Sequence, residues 1–291
     1  MLLANYFVAQ RLITHAHGRA LLRNHSPPIE LGMQSVVDVS KEALNFDIDT
    51  TSSSTLQASL SRLSRECDDE LVVQCITESL MTPMKPAEYI AAGELAEEDW
   101  HHFALNIPYY THFTSPIRRY PDVIVHRLLQ ATIDDNVDEF PQNQGEIHSA
   151  AGHCNDKRMA AKKAQERSDR VFLSLYLKKN PITSTLGVCL SVGEKTFTVF
   201  VPKLGASIKV FLQEHEDCFE TNAYTDDGGK RHIVISPKTD AVPGMQQSDD
   251  DTGPSWKSLN IGVFTKLEVA CTCKARPPID VRVKVVGPWK E

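Results

Sequence analysis

Tyr109-Tyr-Thr-His-Phe-Thr-Ser-Pro-Ile-Arg-Arg-Tyr-Pro-Asp-Val-Ile-Val-His-Arg127 is the stretch on which the reading of this chain turns. Ser115-Pro116 signals a turn or a helix start, with serine as N-cap and proline as first helical residue. The opening turn of a helix presents unpaired N–H groups and the positive end of its dipole, which suits an anion. Arg118 and Arg119 fall in that turn, and a guanidinium can grip a phosphate with two parallel hydrogen bonds where an ammonium cannot. Asp122 stands four residues after Arg118 and four before His126, so the three can share one helical stripe as a purely structural ion-pair ladder. Pro121 removes a helical hydrogen bond and leaves a second geometry open: a short turn at 116–119, with the main helix starting near Pro121. Tyr120 reads as a packing residue.

Upstream, residues 1–23 read as a helix that carries Leu2, Leu3, Tyr6, Phe7 and Ile13 at near-helical spacing and stops at His25-Ser-Pro-Pro. It has no capping residue ahead of it, which suggests that Met1 is an internal methionine. No basic segment precedes its apolar run and no A-x-A-like site follows, so it does not read as a signal peptide. A second helix is expected over 33–44, a third capped by Ser53 or Ser54 and carrying Leu56, Leu60 and Leu63, and a fourth through Leu71, Val72, Cys75, Ile76 and Leu80. Pro83 and Pro86 interrupt the chain. A long helix rich in Ala, Lys, Arg and Glu then runs from about 146 to 178, and Asn180-Pro181 ends it.

Beyond 181 the period changes to strand-like alternation in Leu186–Val192, Thr196–Val201, Ile208–Leu212, His232–Ile235, Val263–Ala270 and Val281–Val286. Short strands in this number suit a small closed barrel of the OB type. The fold class is therefore α+β: a mainly helical domain over 1–180 and an OB-fold barrel over 181–291, with a polar loop at 240–258. On the barrel, Lys195, Lys203, Lys209, Lys230, Arg231, Lys266, Lys274, Arg276, Arg282 and Lys284 are interleaved with Phe197, Phe200, Phe211 and Phe264, a composition suited to single-stranded RNA, although part of the Phe set must fill the interior and each ring reads as core before platform. Lys195, Phe197 and Val199 share one face of their strand; Thr196, Thr198 and Phe200 share the other.

Composition narrows the class. Among 291 residues, 41% are hydrophobic and 24% charged, and no run reaches the roughly 18 apolar residues that cross a bilayer. The net charge of −7 means that any nucleic-acid contact comes from local basic clusters, at 118–119, along 157–170 and in the barrel. The acidic runs read as solvated faces. Seven scattered cysteines without zinc spacing indicate free thiols in a reducing compartment, hence a cytoplasmic protein.

The string Thr111-His-Phe-Thr-Ser-Pro-Ile-Arg-Arg-Tyr-Pro-Asp122, followed by His126-Arg127, resembles the signature of the RNase II/RNase R (RNB) family of exoribonucleases. Met1-Leu-Leu-Ala-Asn5, Ala87-Glu-Tyr89, His102-Phe-Ala-Leu105 and Asn155-Asp-Lys-Arg-Met159 follow in the order of the later half of that catalytic domain, and the barrel takes the place of its S1 domain. The details are most similar to the eukaryotic cytoplasmic branch that works without the exosome. The resemblance implies processive 3′-to-5′ hydrolysis of single-stranded RNA to nucleoside 5′-monophosphates, with Mg²⁺ held by an aspartate cluster. It carries the catalytic arginine to Arg118, and makes Arg119, Ser115, His112, Lys162 and Arg167 candidate RNA contacts. The aspartate cluster has no counterpart here, and Asp47-Ile-Asp49 reads as a loop rather than a substitute. No metal ligands, no membrane and no obligate protein partner are expected. By itself the chain is expected to be inactive. Two alternatives remain: a non-catalytic RNA-binding protein of the same fold, and an interaction module docking through its acidic runs.

Overall fold

The computed structural model describes residues 1–16, 18–216, 218–226, 229, 231–238, 256–274 and 279–290. Most of the expected 240–258 loop, together with Lys230 and Arg276, lies outside the described residues. In chain order the elements are α1 (Leu2–His15), β1 (Leu21–Asn24), α2 (Glu30–Leu44), α3 (Ser53–Glu66), α4 (Glu70–Met81), β2 (Glu88–Ala91), α5 (Tyr120–Ile133), α6 (Gln144–Lys179), β3 (Ile182–Val192), β4 (Thr196–Val201), β5 (Ala206–Phe211), β6 (Phe219–Thr225), β7 (Arg231–Pro237), β8 (Leu259–Ile261), β9 (Lys266–Cys273) and β10 (Val281–Pro288). The fold class is α+β, as expected. Among the described residues no helix is long and apolar enough to cross a membrane.

The chain divides into two compact units, residues 1–68 with 80–164 and residues 69–79 with 165–291. The division falls inside α6 and not at the expected 180/181, because the last turns of that helix send Leu173 and Leu177 into the core of the strand-rich unit. Most of α4 also belongs to that unit, where Cys75 and Leu71 pack on Val188 and Phe200.

In the first unit the helix expected over 1–23 ends at His15. Gly18, at φ +81°, accepts a hydrogen bond from the Gly93 amide at 2.9 Å, and the chain then enters β1. Leu21 pairs with Ala91 and Asn24 with Glu88, antiparallel. All four β1 residues are buried, and a short run covered on both faces has no period to separate strand from helix. The core beneath joins Ala9 and Leu12 of α1, Leu22 of β1 and Ile124, Val125 and Leu128 of α5. The cap of α3 is Ser52, one residue before the expected serines; its Oγ accepts from the Thr55 amide at 3.2 Å while the Thr55 hydroxyl accepts from the Ser52 amide at 3.1 Å.

In the second unit β3 is central, paired with β4 on one side and β9 on the other, and the sheet runs β10-β9-β3-β4-β5. The outer strands β5 and β10 approach each other, so the sheet curls into the strand order of an OB barrel. Between β5 and β9 a three-stranded sheet, β6-β7-β8, contributes Phe219, Ile233, Ile235 and Ile261 to the same core. Phe197, Val199 and Val201 point into that core. Phe200 faces the other way, yet is covered by Cys75 and Val188, so both faces of β4 are dry at that point. Phe211 is the ring left 42% exposed.

Candidate functional site

Around Ser115 the chain adopts the second of the two geometries that the sequence allowed. Pro116, Ile117 and Arg118 form an isolated turn closed by the Arg118 amide on the Ser115 carbonyl at 3.2 Å, and α5 begins at Tyr120 with Pro121 in its first turn. Ser115 is therefore not an N-cap, and the first-turn anion site expected over 116–119 does not form. The reason lies in Asp122. Its carboxylate is fully buried; Oδ2 accepts from the Ser115 amide at 2.8 Å and from Arg119 Nη2 at 2.9 Å, while Arg119 Nε faces Oδ1 at 2.8 Å. One carboxylate thus ties the turn to the helix with a hydrogen-bonded charge pair.

The Arg118/Asp122/His126 stripe also does not form. Asp122 takes Arg119, and His126 turns to bond the Phe113 carbonyl at 2.8 Å and to stack on the Phe113 ring with centroids 4.2 Å apart. Arg118 is thereby released. Its side chain is exposed, makes no hydrogen bond or ion pair among the described residues, and its charge still reaches Tyr89 and His112. Tyr120, expected to pack, is 55% exposed, and Ile117 beside Arg118 is 96% exposed.

Behind the turn, segments far apart in sequence converge. Asn5 donates through Nδ2 to the Tyr110 hydroxyl at 2.6 Å and accepts from the Phe113 amide through Oδ1 at 3.2 Å. Thr111 donates to the Leu21 carbonyl at 2.6 Å. Asn155 on α6 accepts from the Tyr89 amide at 2.8 Å and donates to the Tyr89 carbonyl at 2.9 Å. The Arg23 guanidinium lies 4.7 Å above the Tyr89 ring, and Arg23 and Arg158 both donate to the Ala87 carbonyl, at 3.2 and 2.9 Å. Asn5 and the β1 backbone thus fix the segment from Tyr110 to Phe113 directly, through the Phe113 amide and the Tyr110 carbonyl, while Asn155 and Arg158 of α6 fix the β2 segment around Tyr89.

His112 is partly buried within this frame, its Nδ1 2.8 Å from the Tyr89 hydroxyl. Burial, reinforced by the Arg119 charge, pushes its pKa down to about 4, so the ring is neutral at pH 7. His102, buried where its Nδ1 accepts from the Leu105 amide at 3.3 Å, is likewise pushed down to about 4, by burial and then by His25. In the strand-rich unit His215 is lowered to about 4 by burial and then by Arg282. These depressed values mean that the unfolded chain binds more protons between pH 6.5 and 4. The stability each neutral ring contributes is intact above 6.5 and is lost as pH falls through 4, at up to about 1.4 kcal/mol per pH unit per ring. The melting temperature is expected to fall across that window, and His102→Gln should flatten the slope in thermal scans at stepped pH.

Lys162 and Arg167 lie on exposed turns of α6. Arg170, another of its basic residues, pairs with Asp280. Asp47 pairs with Lys41 at 3.1 Å, and Asp49 accepts from the Thr51 amide at 2.9 Å in a loop that leads to Ser52. Hydrogen bonds from Thr51 hold the Asp49 carboxyl below its ordinary value. Among the described residues no group of three or more His, Cys, Asp or Glu is placed to hold a metal ion, so the residues present do not fit the metal that the resemblance implies.

Sequence reasoning named Phe211, Lys209 and Lys274 only as members of longer lists and did not group them. Lys209 and Lys274 each bring an ammonium to 5.8 Å from the Phe211 ring centroid. The alternation Ser207, Lys209, Phe211 along β5 carries that signal, since all three are exposed while Ile208 and Val210 are buried.

Residues 1–135 match the RNB domain family. DIS3-like exonuclease 2 of Schizosaccharomyces pombe is 35% identical over 238 residues, covering 80% of this chain and 24% of its own length. The structure of yeast Ssd1, a pseudonuclease, superimposes with a TM-score of 0.77 at 20% identity, covering all of this chain and 44% of that one. Mycoplasma genitalium RNase R in complex with ribose-methylated single-stranded RNA superimposes with a TM-score of 0.66 at 20% identity, over 94% of this chain and 38% of that one. The chain thus spans about a quarter of the length of the curated relative. Its signature around Arg118, the side chains converging behind it and these likenesses agree: the chain belongs to the RNB family.

Proposed function

We propose that this chain supplies the arginine side of a 3′-to-5′ exoribonuclease active site together with an S1-like barrel that holds single-stranded RNA in the cytoplasm. The observation that carries the reading is the division of labour between adjacent arginines. Arg119 is bound to buried Asp122, whereas Arg118 projects from the turn with its guanidinium free of partners among the described residues. A pre-positioned cation of this kind offsets charge that builds on a phosphodiester undergoing in-line attack. Ser115, whose amide is held by Asp122, and His112, held by the Tyr89 hydroxyl, would order the strand, and Lys162 and Arg167 are further candidate contacts, each within its own unit. The exposed Phe211 ring between Lys209 and Lys274 suits a stacked base with a neighbouring phosphate. The resemblance assigns Mg²⁺ to the reaction, and its ligands would come from residues outside this chain.

A non-catalytic RNA-binding role is the second reading, favoured by the likeness to a pseudonuclease and by the lack of a metal-holding group among the described residues. One experiment addresses both. The purified chain is expected to retain a labelled single-stranded RNA with affinity that falls steeply as salt rises, and to leave the strand uncut in Mg²⁺. Adding the remainder of an RNB domain in cis should restore 3′ trimming under the first reading and leave the RNA intact under the second.

A further inference from the structure

The three-stranded sheet inserted between β5 and β9 has a face that the proposed function does not use. Its inner face sends Phe219, Ile233 and Ile261 into the core. The outer face carries three cross-strand rows: Glu220 opposite Ser236, Asn222 opposite Val234 opposite Asn260, and Tyr224 opposite His232. The Tyr224 and His232 rings are stacked at 5.2 Å with planes 15° apart, and Tyr224 is 41% exposed. Both rings are pinned. Asn260 donates to the Tyr224 hydroxyl at 3.0 Å, and His232 Nε2 meets Asp226 Oδ2 at 3.2 Å. Gly262 lies against the imidazole so closely that a Cβ there would sit 2.9 Å from Nδ1, so glycine lets that ring lie down on the sheet.

Arg231 is engaged with Glu194 at 3.3 Å and Asp226 with His232, and Glu220 in the far row adds an exposed carboxylate, so the face offers little to a phosphate. What it offers is a fixed aromatic surface with amides alongside. The Asn222 carboxamide and the carboxamide oxygen of Asn260 make no hydrogen bond among the described residues. Same-face rows on a sheet are about 7 Å apart, the width of a nucleobase. A ring to stack on and amides to meet a base edge are the elements by which sheet surfaces read unpaired RNA bases.

We propose that Tyr224 and His232 form a stacking platform for one unpaired base of single-stranded RNA, with Asn222 and Asn260 reading its edge. The site deepens the RNA-binding reading above and rests on it. It differs from the Arg118 surface in recognising the base and not the backbone, and from the Phe211 surface in setting carboxamides rather than ammonium groups beside the ring.

The test compares binding of the full 291-residue chain to fluorescent twelve-nucleotide uridylate and adenylate strands and to an abasic strand with the same phosphates. Tyr224→Ala is expected to weaken binding of the base-bearing strands about tenfold, to leave the abasic strand unaffected, and to leave the salt slope unchanged. Tyr224→Phe, which keeps the ring, should bind like the parent and thereby separates stacking from misfolding. Asn222→Ala should alter the ratio between uridylate and adenylate. Unchanged binding by Tyr224→Ala overturns the platform while the RNA reading stands, and an equal loss on the abasic strand does the same. Failure of the parent chain to bind any single strand overturns both. Displacement of RNA-independent protein contacts by Tyr224→Ala, with RNA binding intact, would assign the face to a protein partner instead.

Discussion

Arg118→Ala, placed in a polypeptide that carries the whole RNB domain, is expected to lower turnover by about two to three orders of magnitude, by analogy with the loss of an oxyanion donor. Single-stranded RNA binding should change much less, since under the proposed function many basic and aromatic side chains would share it. The argument rests on what Arg118 does not touch. Its side chain is exposed and has no partner among the described residues, so its removal costs no fold contact and the melting temperature should stay put. Arg118→Lys keeps the charge and loses the fork, and should recover only part of the rate. Single-turnover assays beside a binding titration separate the effects. A deficit confined to affinity would reduce Arg118 to a tether.

The second large effect runs through stability. Asp122→Ala deletes a carboxylate with no solvent exposure that holds Arg119 and the Ser115 amide, leaving a cation that is only 20% exposed without its counter-charge. Removing one member of a buried pair costs about 3–5 kcal/mol. Arg119 can swing partly into solvent, so the lower end, about 3 kcal/mol, is expected in urea unfolding. Arg119→Ala on that background should restore part of the loss, because it removes the stranded charge. If Asp122→Ala unfolds like the parent, the pair is not what holds the turn. Arg118→Ala and Asp122→Ala thus predict opposite phenotypes from positions four residues apart, one chemical and one structural.

Much of the architecture was legible. The change of period at 181, the prolines at 83, 86 and 181 and the long basic helix placed most elements, because burial on one face leaves a period in the sequence. Where burial is two-sided the period vanishes, and β1 was read as helix for that reason. β6 and β8 escaped notice because Glu220, Asn222 and Ala223 interrupt the β formers of one and the other is three residues long. At the candidate site the spacing offered two turn geometries and a stripe. The choice depended on which arginine Asp122 would take, and spacing four apart does not reveal that a three-residue reach is better once Pro121 sets the helix start. Tyr89 and Asn155 were noted as parts of motifs, but their contact spans 66 residues and no local pattern reports it.

That contact has a further consequence. Asn155 offers Tyr89 one acceptor and one donor, the pattern a neighbouring strand would present, on the side of β2 that β1 does not use. An amide borne on a helix therefore impersonates a third strand and blunts an open sheet border against pairing with another molecule. A leucine of similar size would fill the space and leave both main-chain groups bare, converting a sealed border into an adhesive one.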